Sequence, residues 1–232
     1  MDGVEELLNS HPDLSEISEL KETTVAFVAG YIAHLVMDET WINDVFRPFF
    51  GEKSPLGGDS EAKIKDRALQ FALDLEKRKD RGLMSHVAKE VQYSDSKVEV
   101  NFIDEDSLSR WRLMMVDLIN LPPDWSSFSF VAAPYLLEAG IKGEEDSKVF
   151  EDKLPELVEE TKQYLTEERI QGFFIDSQAG IYSIELTKNL ESNFSSSYNF
   201  FASTKKKFSF ECEGKLATNN IKIFKINFII IF

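Results

Sequence analysis

Apolar residues recur at three- and four-residue steps through most of the first 200 positions, the signature of helices with one buried face. A turn at His11-Pro12-Asp13 precedes a helical pattern that starts near Leu14 and runs through Met37. Phe27, Tyr31, His34, Asp38 and Trp41 fall along one stripe of it. Asn43 to Phe50 continues as a second short helix, and Lys53 to Gly58 is a loop rich in turn formers. Asp59 or Ser60 caps the next helix, whose Ile64, Ala68, Phe71 and Leu75 keep 4-3-4 spacing. Gly82 is expected to interrupt this helix, with a shorter one to about Val91 and a polar loop over 92–106. Asp106 or Ser107 starts a helix through Trp111, Met115 and Ile119, and Leu121-Pro122-Pro123 stops it. Phe128 to Ala139 is a further helix ending at Gly140, and 153–188 is helical with weak points at Gly172 and Gly180. The pattern predicts an all-α helical bundle over residues 1–192.

The end of the chain departs from this pattern. Residues 193–204 are rich in Ser and Asn and read as a linker. Residues 221–232 are built almost wholly from Ile, Phe, Lys and Asn. These residues have A/T-rich codons, so the segment reads either as translated non-coding sequence or as a C-terminal strand, which Ile and Phe favour. Residues 193–232 are therefore set apart as a linker and irregular tail.

Charge narrows the choice of partners. The chain carries 26 Lys and Arg against 41 Asp and Glu, a net −15. Residues 201–232 hold six Lys and two Glu, so the first 200 carry 20 − 39 = −19. Phosphate backbones are bound by Lys and Arg, so neither nucleic acid nor an anionic membrane surface is expected as a standing partner. Bound cations are compatible with such acidity. Cys212 is the only cysteine, which excludes an intramolecular disulfide and a cysteine-based zinc site. The acidic start Met1-Asp2-Gly3-Val4-Glu5-Glu6 is not a signal peptide, and no apolar run is read as transmembrane. The expected location is the cytoplasm.

The chemistry concentrates at His34 and Asp38. Residues four apart share one helix face, so an imidazole and a carboxylate can enter the same space and form half of a metal site. The same pair could equally be a histidine hydrogen-bonded to a carboxylate one turn later. Gly30, one turn before His34, leaves room beside it.

The run Gly30-Tyr31-Ile32-Ala33-His34-Leu35-Val36-Met37-Asp38-Glu39-Thr40-Trp41 resembles the G-Y-x-x-H-L-x-x-D-x-x-W core of the zinc-dependent phospholipase C/D-like domain family. Asn43 to Gly51 is similar to the segment that follows in bacterial members, and Arg110-Trp111-Arg112 adds a weaker likeness. The resemblance implies the all-helical phospholipase C/P1 nuclease fold, zinc as cofactor, a phospholipid or other phosphodiester as substrate, and His34 and Asp38 as metal ligands. The family also uses a later H-x-x-x-E pair. His86 and Glu90 match its spacing, or else lie on an exposed amphipathic helix. The family's earlier ligands include histidines and an aspartate. Here 33 residues precede His34 and offer one histidine, His11, before Pro12 in a turn. The resemblance thus implies a domain entered part-way along. Asp74, in an apolar patch, is either a further approach to the site or a helix-face carboxylate. Two classes follow: a metal-dependent phosphoester hydrolase, incomplete as it stands, or a non-catalytic helical protein in which the pair is structural. Ligand count discriminates them, because catalytic zinc takes three protein ligands and keeps one position open.

Overall fold

Helices account for all the regular structure of the computed structural model, which describes residues 2–16, 19–57, 60–94 and 97–184. They are α1 (Asp2–Ser10), α2 (Glu22–Thr40), α3 (Ser60–Arg78), α4 (Arg81–Tyr93), α5 (Glu105–Asn120), α6 (Phe128–Glu138), α7 (Glu144–Glu151), α8 (Leu154–Lys162) and α9 (Glu167–Ser183). The expected Asp59 cap, the linker and the tail lie outside the described residues.

The longest α-helices are α2 and α3. Val25, Val28, Ile32, Val36 and Met37 line one side of α2 and are buried against α1 and α9. The helix does not stop at Thr40. It continues over Trp41–Phe50 with the wider winding of a π-helix, which accommodates Pro48. Trp41, Val45, Phe49 and Phe50 are buried there at steps of four and five, the broader repeat that i→i+5 winding brings. The stretch Glu22–Phe50 is the one helix among the described residues that length and composition alone would allow to cross a membrane, which makes no clear transmembrane segment. Here its apolar side packs as a core helix against α1, α3 and α9.

On its other flanks α3 packs on α6 and α8, with Ile64, Ala68, Leu69 and Phe71 buried. Phe71 meets Phe128 edge-on, with ring centres 5.5 Å apart. The second core is small: Leu83, Met84, Val87 and Ile119 hold α4 and α5 together as a hairpin.

Several boundaries differ from those expected. Leu14 is buried in a 3₁₀ turn over Pro12–Ser15, and α2 begins only at Glu22. Gly82 lies inside α4. The break falls at Asp80, whose carboxylate accepts from the Leu83 amide at 2.9 Å and caps α4. The start of α5 is likewise earlier, at Asp104, which accepts from the Ser107 amide at 2.8 Å. Those bonds to Ser107 hold the Asp104 carboxyl below the usual carboxylate range. The helix expected over 153–188 is two, parted by a turn that buries Leu165 and restarts at Thr166. Both Gly172 and Gly180 sit within α9. The Gly140 stop is as expected, with φ at +81°, where a side chain would be strained.

Candidate metal centre

His34 and Asp38 project from the same face of α2. His34 Nε2 stands 3.5 Å from Asp38 Oδ2, and the side chains are 32% and 44% exposed. That distance exceeds the ordinary 2.7–3.2 Å range of an N–H···O hydrogen bond. It is close to the separation of roughly 3.4 Å expected for two donors each ~2.1 Å from one tetrahedral ion. The two groups therefore have the spacing of a chelating pair, open to solvent on one side.

Their surroundings are aromatic and mildly cationic. Tyr31 lies one turn before His34, with ring centres 6.2 Å apart. Its ring approaches Phe102, from the segment between α4 and α5, at 5.7 Å. Phe27 joins both, and the His11 ring meets Phe102 at 4.8 Å. His11 and His34 thus share one half-exposed cluster, linked through Tyr31 and Phe102. Burial raises the Asp38 carboxyl above its ordinary value, while the nearby charges of His34 and Arg67 oppose the shift. Arg67 also donates to Gln70 Oε1 at 2.7 Å and lies over the Tyr135 ring at 5.0 Å.

Other sequence-selected residues are placed elsewhere. Asp74 is buried on α3 and accepts from Arg78, one turn on. Arg78 in turn donates to the Leu118 carbonyl, joining α3 to the end of α5. Burial raises the Asp74 carboxyl, with Arg78 opposing. His86 and Glu90 lie on α4, 62% and 68% exposed, with His86 Nδ1 and Glu90 Oε1 3.8 Å apart. Trp41 is buried, its ring edge-on to Phe173, and Nε1 donates to Asp66 at 2.9 Å.

The donor types and spacing of His34 and Asp38 suit zinc. Yet His34 Nδ1 is buried without a hydrogen-bond partner, whereas a metal-bound imidazole normally donates its second N–H to an acceptor. No group of three or more His, Cys, Asp or Glu able to hold one ion occurs among the described residues.

Asp66 escaped the sequence reading. Its carboxylate is buried between Trp41 Nε1 and Gln70 Nε2, the latter at 3.1 Å, and burial lifts it to about 6. A signal was present: Asp66, Gln70, Asp74 and Arg78 are polar at strict four-residue steps, and all four are buried. Phe102 had no such signal. Comparison with family models, curated proteins and solved structures finds no match to the chain.

Proposed function

We propose that this helical domain is part of a zinc-dependent phosphoester hydrolase of the phospholipase C/D-like kind, with His34 and Asp38 as two of the ligands. The observation that carries the reading is the 3.5 Å spacing of His34 Nε2 and Asp38 Oδ2 on one solvent-open helix face. Zinc bound there would lower the pKa of a water and offset charge on phosphoryl oxygens. The chain's own part is to present the imidazole and carboxylate from a rigid helix and to hold Arg67 within electrostatic reach of Asp38. The half-exposed rings of Phe27, Tyr31 and Phe102 flank that face and suit an apolar group attached to a phosphodiester.

A second reading, a non-catalytic helical protein with a structural pair, is favoured by ligand count. Among the described residues two donors converge, and a catalytic zinc needs three.

Zinc titration and turnover of a phospholipid and of a chromogenic phosphodiester, with and without chelator, decide between them. The expected result for the 232-residue chain is weak zinc binding, reduced further in His34→Ala by at least the ~10-fold that loss of even an outer partner of a ligand costs, and turnover no faster than that variant. Chelator-sensitive turnover that disappears in His34→Ala would establish a complete hydrolase. Zinc binding indifferent to both His34→Ala and Asp38→Asn would leave the structural reading.

A further inference from the structure

Helix α6 is apolar on two sides, and protein covers one of them. Phe128, Ala132 and Leu136, at four-residue steps, are buried in the core. Ala133 and Leu137, one position on, line a cleft of about 710 Å³ between α6 and α7. Leu137 is 61% exposed. Helices that are apolar all round are normally covered, and an exposed apolar surface within a concavity marks a ligand site more often than a bare surface.

The polar lining gives the sign of the ligand. Lys142 and Lys148 both border the cleft and are exposed, and neither forms an ion pair among the described residues. The one carboxylate that lines it, Glu151, already accepts from the Ser129 hydroxyl, a bond that ties α6 to α7. Two ammonium groups against one engaged carboxylate run counter to a chain with 41 acidic and 26 basic residues. Ile141 continues the apolar surface up to Lys142. A cleft of this size lies within the range of small-molecule sites.

We propose that the α6–α7 cleft binds an aliphatic carboxylate, its hydrocarbon chain along Ala133, Leu137 and Ile141 and its carboxylate between Lys142 and Lys148. The site stands apart from the His34–Asp38 pair and does not depend on any metal there.

Calorimetric titration of the full chain with decanoate below its micelle concentration tests this, with decanol and inorganic phosphate as controls. The expected result is saturable binding of one decanoate per chain. It weakens about tenfold or more in Lys142→Gln/Lys148→Gln, as removal of charge-assisted bonds predicts, and is lost in Ala133→Trp, which fills the cleft. Far-UV circular dichroism checks that each variant keeps its helices, and the lysine variant, altered only at exposed positions, serves if the tryptophan variant unfolds. Non-saturable uptake, or equal affinity in the folded lysine variant, would overturn the proposal. So would decanol binding as well as decanoate, which means apolar adsorption, or phosphate binding as well as decanoate, which means an anion patch alone.

Discussion

At the scale of single residues, the most consequential feature is a carboxylate inside the core. Asp66 bonds to Trp41 and Gln70, but these bonds do not offset its desolvation, and its carboxyl rises to about 6 from an ordinary 3.8. The folded state therefore holds this proton more tightly than the unfolded chain. Its stabilising contribution is complete below the unfolded value and is lost as pH rises through about 6. The gap corresponds to roughly 3 kcal/mol at most. Asp66→Asn removes the titration. Asn must also turn an NH₂ toward one of the two donors, a cost of about 1–3 kcal/mol that does not vary with pH. The expected outcome is a variant weaker than the parent near pH 4.5, with the deficit shrinking or reversing by about pH 7.5. Urea unfolding of both proteins across that range is the measurement. A difference that stays constant with pH would mean that Asp66 does not titrate in this window. Had the four-residue polar ladder been read as a buried stripe, Asp66 would have stood beside His34 among the first candidates. Polar spacing at that repeat is also what a solvated helix face looks like, and tertiary burial alone separates the two.

At the scale of elements, glycines in α2 and α9 have opposite meanings that sequence does not distinguish. Gly30 was read as leaving room beside His34, but a Cβ built there meets nothing within 4 Å. Gly180 is where α9 crosses α2, and its Cβ would lie 2.9 Å from Val36 Cγ1 in the core. Gly30→Ala should therefore stabilise the fold by about 0.5–1 kcal/mol, the helix-propensity gain. Gly180→Ala receives the same gain but must displace Val36 or the helix, and overpacking costs about 1–3 kcal/mol. Denaturant midpoints of the two variants should move in opposite directions; equal stabilisation by both would show that α9 does not press on α2. The long helices were legible because their apolar stripes extend over several turns. The short helices α1 and α7 were not. Each has nine residues or fewer, a length at which an isolated helix is marginal, and α1 is held by Val4 and Leu7 docking on the core. The boundary at Asp104 was missed by two residues because Asp104, Asp106 and Ser107 are all competent caps.

At the scale of the whole molecule, the geometry of the candidate site was legible only where it is local. His34 and Asp38 share a face by helix geometry alone. Arg67 and Phe102 reach the same surface from positions 33 and 68 residues after His34, through packing that no local pattern encodes. Charge is the other global property, and its consequence can be weighed. The first 200 residues carry −19, so the folded state concentrates mutual repulsion that the unfolded chain relaxes. Opposing it are exposed pairs such as Lys21–Glu99, Lys63–Glu138 and Lys162–Glu159. Each contributes about 0–1 kcal/mol, and all are weakened by salt. Added salt screens both effects. The pairs among the described residues are few and individually weak, whereas the excess carboxylates act over distances up to a Debye length of about 10 Å at 0.1 M. Repulsion should therefore be the larger loss on screening. Raising sodium chloride from about 10 mM to about 150 mM at pH 7 should raise the unfolding temperature by a few degrees. Divalent cations matched for ionic strength should raise it further only if they bind specific carboxylates, and His34→Ala with Asp38→Asn separates that share from screening. A midpoint that falls with sodium chloride would show that the paired charges outweigh the unpaired ones, and that the acidity is organised into local networks rather than spread over the surface.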